Sequence, residues 1–144
     1  MSEDSQNLGL LLFYPYRAME NRVIAALGAT GHDITLAQSR VFQRIGPNGT
    51  RLTELAEQAQ ITKQTASALV DQLENAGYVQ RVPDPHDARA RLIMIADRGR
   101  AAQPIAAAVV QEVEDEWRRH LGRRNLDRLR ELLDRLRQIT DPYT

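Results

Sequence analysis

No cysteine occurs in the 144 residues, which excludes a disulfide framework, thiolate metal sites, a thiol nucleophile and sensing by thiol oxidation. Net charge is missing too. The 19 Lys plus Arg face 19 Asp plus Glu, so bulk electrostatics announce no polyanionic partner and any such argument must be local. Lysine is nearly absent, Lys63 standing alone beside 18 arginines; spread over the whole chain, that bias reads as composition and not as a site. No apolar run approaches the ~18 residues of a membrane span, and the opening Met1-Ser2-Glu3-Asp4 carries acids where a secretory signal needs a basic start. The expectation is a soluble, cytoplasmic protein with no membrane partner. What is present is 42% hydrophobic residues, enough for an ordinary core, in a length that suits about one domain.

Periodicity organises the chain. Leu8, Leu11, Leu12, Met19, Val23 and Leu27 recur at helical intervals up to Gly28, with Pro15 predicting a kink or restart near Tyr16. Thr35 followed by Gln38 has the capping-box pattern, and Leu36, Val41, Phe42 and Ile45 make one apolar face up to the turn 46–49. A third helix is predicted with Thr53 as N-cap and Leu55, Ala56 and Ala59 buried. A fourth has Thr62 as N-cap, Ala66, Leu69, Leu73 and Ala76 inward, and Gly77 as its left-handed stop. Two short helices joined by a tight turn are a helix-turn-helix candidate.

Beyond Gly77 the pattern turns extended. Residues 78–82 and 91–95 are rich in branched or aromatic side chains and read as a hairpin. Between them Pro83 to Ala90 holds two prolines, and the expectation is a projecting loop, not a tight closure. A hairpin projecting beside a helix-turn-helix is a wing. A long helix is predicted from Asp97 to His120, bent at Pro104, and a last one after Gly122 with Leu126, Leu129, Leu133 and Leu136 in a stripe. The fold class is therefore mainly α, an α+β winged helix. Its expected parts are an N-terminal helix (1–34), a winged helix-turn-helix lobe (35–96) and C-terminal helices (97–144).

On a helical wheel of about 100° per residue, Gln64, Ser67, Ala68, Asp71 and Asn75 oppose the apolar face of residues 62–76, and Lys63 sits on its shoulder. The first two turns are neutral or cationic. Asp71 and Glu74 come later, where they would repel phosphate, so only the N-terminal half suits DNA, entering a major groove end-on. Gln64 suits adenine N6 and N7, Ser67 a base or a phosphate, and Lys63 a guanine edge or backbone oxygen. In the wing, Asp87 stands two residues from Arg89 and can orient its guanidinium for a narrow minor groove. The candidate DNA-binding residues are Thr62, Lys63, Gln64, Thr65, Ser67, His86, Asp87, Arg89 and Arg91.

Other chemistry finds no carrier. The eight glycines form no phosphate loop. His32, His86 and His120 lack the spacing of metal ligands, and the acids of 112–116 read as a solvated run. No enzyme, no cofactor and no metal are expected. The arginines of 118–137 alternate with Asp127, Glu131 and Asp134 at helix-pair spacing, for example Glu131 to Arg135, which favours a salt-bridged outer face over a second nucleic-acid patch. Phe13, Tyr14, Tyr16, Phe42 and Trp117 are the aromatics available to a ligand pocket, but aromatics at helical spacing are more often core, and no effector site is assigned.

The runs 52–56, 61–67 and 69–79, with Arg81, the wing residues 84–89 and Gly99, resemble the MarR family of winged helix-turn-helix transcriptional regulators. The likeness extends over nearly the whole chain. It implies a homodimer with intertwined N- and C-terminal helices that binds double-stranded DNA at a pseudo-palindromic operator. It also implies repression of nearby genes and release by a small aromatic effector. Ile95-Ala96 stand where the family usually has Leu-Thr, which moves the cap of the next helix toward Asp97, and Ala68 occupies a place where a larger polar contact is common. A winged-helix protein–protein interaction module without specific DNA binding is the alternative.

Overall fold

The computed structural model describes residues 6–143, and these fall into two compact units that meet in sequence at Ala106 and Ala107. Six helices and two strands are found among the described residues: α1 (Leu8–Ala29), α2 (Leu36–Phe42), α3 (Leu52–Ala59), α4 (Lys63–Asn75), β1 (Val79–Asp84), β2 (Asp87–Ile95), α5 (Asp97–Leu121) and α6 (Arg123–Thr140). The mainly helical winged architecture anticipated from the sequence is present.

In the first unit, Asn7 caps α1 by accepting the Leu10 N–H at 2.9 Å. Contrary to expectation, α1 runs unbroken through Pro15. The proline orphans only the Leu11 carbonyl, and Leu11 is exposed, so water can satisfy it. α5 likewise continues through Pro104. The predicted capping box is complete: Thr35 Oγ1 accepts from Gln38 N at 3.1 Å, and Gln38 Oε1 accepts from Thr35 N at 3.0 Å. Leu36, expected inward, is exposed, and Ser39 joins Val41 in the buried face of α2 instead.

α3 starts two residues earlier than predicted, with Arg51 and not Thr53 as N-cap and no side-chain cap bond. The reason lies upstream. Thr50 is drawn into a bridge with Ile93, each backbone N–H bonding the other's carbonyl at 3.0 and 2.8 Å, which sets the chain direction before Thr53 is reached. In α4 the buried residues are Ala66, Val70 and Leu73. Val70 takes the central place expected of Leu69, which is half-buried, and Ala76 is exposed at the C-cap. The apolar stripe is thus rotated by about one residue, following the four-three spacing of 66, 70 and 73. Gly77 supplies the positive φ of 87° after the cap, as expected.

The strands extend further than predicted. β1 and β2 pair antiparallel from Val79 with Ile95 to Pro83 with Arg91, and then Asp84 faces Asp87. The hairpin therefore closes on Pro85 and His86, while Ala88, Arg89 and Ala90 are looped out in a bulge. This corrects the expectation of a long open loop. Asp84 Oδ1 accepts the His86 N–H at 2.8 Å, a turn-closing bond that two prolines nearby do not forbid. At the base of the lobe Arg98 donates to the carbonyls of Gly31 and Ala76, both at 3.0 Å, and its guanidinium lies 4.7 Å from the Tyr78 ring centroid. One cation thus serves the exits of α1 and α4. α5 begins at Asp97 with the Ala96 carbonyl accepting from Arg100 N, so Ala96 holds the cap position.

In the second unit α5 continues and α6 follows Gly122, whose φ is 90°. Val113 and Leu126 are its buried apolar residues. Leu129, Leu133 and Leu136 of the predicted stripe are exposed to about 40%, and Leu132 joins them. Arg118 pairs with Asp115 at 2.8 Å and Arg137 with Asp141 at 3.1 Å. Arg130 reaches Glu114. Glu131 pairs with Arg128 at 3.0 Å, the three-residue neighbour, and not the four-residue one anticipated.

Candidate nucleic-acid interface

The nine candidate residues fall into two groups, one at the start of α4 and one in the hairpin. Thr62 Oγ1 accepts the Thr65 N–H at 3.0 Å and donates to Thr65 Oγ1 at 2.8 Å. This fixes the first turn of α4, leaving Lys63, Gln64 and Thr65 exposed and Ser67 half-buried on the same side. Ala68 is exposed beside them and presents only a methyl group. In the wing, His86, Arg89 and Arg91 are exposed and Asp87 is half-buried.

Arg89 is the freest of these, with its side chain 97% exposed. The expected link to Asp87 takes another form: Asp87 Oδ1 accepts the backbone N–H of Arg89 at 3.1 Å, while Arg89 Nε lies 3.8 Å away. The carboxylate orders the bulge backbone and holds the guanidinium only at ion-pair range, so the cation stays available to an outside anion.

Two arginines that the sequence reading left without a role organise both groups. Arg81 on β1 lies with Nη2 2.7 Å from Asp71 Oδ1 and donates through Nη1 to Glu74 Oε1 at 2.8 Å; its own N–H donates to Glu74 Oε2 at 2.9 Å. The two acids of α4 that looked repulsive toward phosphate are thereby paired within the fold, and the recognition-helix candidate is bolted to the first wing strand. Arg51 donates through Nε and Nη2 to Asp84 Oδ2 at 3.0 and 2.7 Å. The Asp84 carboxyl is held below its usual range, first by the His86 N–H and then by Arg51. The signal for Arg81 lay in its seven-residue distance from Glu74 across the Gly77 turn. Arg51 offered none, its partner being 33 residues away.

Known proteins are similar to this chain in sequence and fold. A sequence profile of the MarR family matches residues 32–90. The transcriptional activatory protein BadR of Rhodopseudomonas palustris is 29% identical over 99 residues, 65% of this chain and 57% of BadR, so the match spans little more than half of that relative. The HTH-type transcriptional regulator FarR of Neisseria gonorrhoeae is 30% identical over 110 residues, 76% of this chain and 75% of FarR. Among solved structures, the transcriptional repressor CouR bound to a 23-mer DNA duplex is 29% identical with a TM-score of 0.72, covering 94% of this chain and 96% of CouR. A Mycobacterium tuberculosis MarR family protein in complex with salicylic acid is 28% identical with a TM-score of 0.68, covering 94% and 99%. With its winged helix-turn-helix lobe and these relatives, the chain belongs to the MarR family of transcriptional regulators.

Proposed function

We propose that this chain is a homodimeric, sequence-specific DNA-binding repressor of nearby genes that acts in the cytoplasm and has no catalytic role. The reading is carried by one observation: Arg81 fixes an uncharged or cationic helix start and a wing bearing a nearly fully exposed Arg89 into one body. In this reading Thr62, Lys63, Gln64, Thr65 and Ser67 meet a major groove, Arg89 enters the adjacent minor groove, and His86 and Arg91 face phosphate with Asp87 steadying the bulge. CouR, a repressor solved on a DNA duplex, supports the binding and this sign of regulation, whereas the activatory BadR points the other way on sign. Residues 1–34 and 97–144 make the dimer in this proposal. Its support is the exposed apolar residues Leu11, Leu12 and Phe13 on α1 and Leu129, Leu133 and Leu136 on α6, too many to leave in water without a partner.

A small aromatic effector releases the DNA in this proposal. A cavity of about 150 Å³ lies in the first unit, lined by Leu27, Ile34, Phe42 and Ile45 with Ser39 and Gln43 as polar points. An apolar cavity of about that size can accommodate a benzene ring. The salicylic acid complex of the mycobacterial relative supports this class of ligand.

Selection of bound duplexes from a random-sequence pool tests the function. The expected product is a palindromic motif with half-sites ~34–36 Å apart, one helical turn or a multiple of it. Recovery of no motif, with equal weak binding to all duplexes at physiological salt, contradicts specific regulation and favours a protein-binding winged helix. Release of the selected duplex by salicylate, and its loss in Phe42→Ala, tests the effector.

A further inference from the structure

The wing tip is gripped from the side of α3 by a residue outside every group that reads DNA in the proposal above. Arg51 spends two donors on Asp84 Oδ2, at 3.0 and 2.7 Å, and its Nη2 also lies 3.8 Å from Asp87 Oδ2. The Asp84 side chain is only 7% exposed, and its other oxygen closes the turn through the His86 N–H. Asp87 in turn receives the Arg89 N–H. A continuous set of contacts therefore runs from the first cap of the helix-turn-helix, through two carboxylates, to the backbone of the residue at the wing tip.

We infer that Arg51 is the positioning residue of the wing: by anchoring Asp84 and sharing Asp87 it sets where the 84–87 turn stands relative to the helix-turn-helix and leaves the Arg89 guanidinium free for the groove. The inference rests on the DNA-binding reading for its consequence, though not for its geometry. A rival role exists for a guanidinium that is 43% exposed, namely contact with a phosphate. The two roles differ in sign at Asp84. Removing a carboxylate from a surface that meets a polyanion strengthens binding if only charge matters, and weakens it if the carboxylate holds the tip in place.

The test uses the full-length protein and the duplex that the wild-type protein selects from a random-sequence pool, together with hydrogen exchange in the free protein. Arg51→Met is expected to speed exchange of the His86 and Arg89 amides and to weaken binding to that duplex about tenfold or more, the scale of a lost specific contact. Arg51→Lys, which keeps the charge but not the paired donors, restores only part of that loss. Asp84→Asn weakens binding as well. In the Arg51→Met background, Arg89→Ala costs far less than it does alone, because the wing is already out of place. Multiplying losses in the double variant, or tighter binding by Asp84→Asn, overturns the inference. Should the wild-type protein select no duplex, the DNA-binding reading fails by itself. The exchange measurement then decides alone: faster exchange of the two amides in Arg51→Met upholds the positioning role, and unchanged exchange overturns it.

Discussion

Arg40 and Glu20 meet through two parallel hydrogen bonds, Nε to Oε2 and Nη2 to Oε1, each 3.0 Å long. Glu20 is a buried carboxylate on α1 and Arg40 a half-exposed cation on α2, so the pair fastens the first helix to the lobe that carries the helix-turn-helix. Tyr16 adds a hydrogen bond to the same carboxylate.

Glu20 gives a stability prediction with a defined pH dependence. The Arg40 hydrogen bonds hold its carboxyl below the ordinary value of 4.5, against the opposite pull of burial. A carboxyl with a lowered folded-state pKa stabilises fully above its unfolded value and loses that contribution as pH falls through the folded one. Glu20→Gln should therefore flatten the decline in stability below about pH 4.5, read as urea midpoints across pH. At neutral pH Glu20→Ala should cost about 1–3 kcal/mol, since Arg40 keeps access to water. An acid limb that keeps its slope in Glu20→Gln contradicts this account.

Arg89→Ala should reduce affinity for the selected duplex by about 1–3 kcal/mol while the sedimentation coefficient of the protein stays unchanged. Its side chain stabilises nothing in the fold that the ion pair at 3.8 Å could account for. Unchanged affinity would remove the wing from DNA recognition.

Ending the chain before Gly122 removes α6 with its exposed leucines. Sedimentation equilibrium should then show a monomer or aggregate in place of the proposed dimer. A truncated chain that remains a dimer would place the interface elsewhere.

Gly99→Ala tests a close approach. A Cβ there would collide with the Tyr78 carbonyl oxygen and stand 2.9 Å from both Ile95 Cγ2 and Phe42 Cε2. The first of these is backbone and cannot turn aside, so a loss of about 1–3 kcal/mol is expected, visible as a lowered thermal midpoint. Gly28→Ala, with no atom within 4 Å of the added carbon, is the matching control and should be neutral or better.

Local chemistry was legible in the sequence; pairing at a distance was not. Thr35 with Gln38, Thr62 as N-cap and Gly77 as stop all depend on atoms within a few residues, and the side-chain inventory alone dictates them. The start of α3 failed because Thr50 is committed to Ile93, 43 residues on. The wing was read as an open loop because its closure depends on Asp84 accepting the His86 N–H while Arg51 holds the other carboxylate oxygen. In α4 the choice between Leu69 and Val70 was decided by neighbouring elements, which periodicity does not contain. The candidate site residues were named from their own side chains, whereas Arg51 and Arg81, which act on other residues, became visible only in three dimensions.

The Arg98 contacts have a kinetic consequence. Gly31 and Arg98 are 67 residues apart in sequence and Ala76 and Arg98 are 22 apart, so these bonds close long loops that the helices themselves do not need. Such links form late, after α1 and α4 have been built locally. Weakening them, as in Arg98→Met, should hasten unfolding and leave the refolding rate nearly untouched, so the tie between the exits of α1 and α4 would set part of the folded lobe's lifetime.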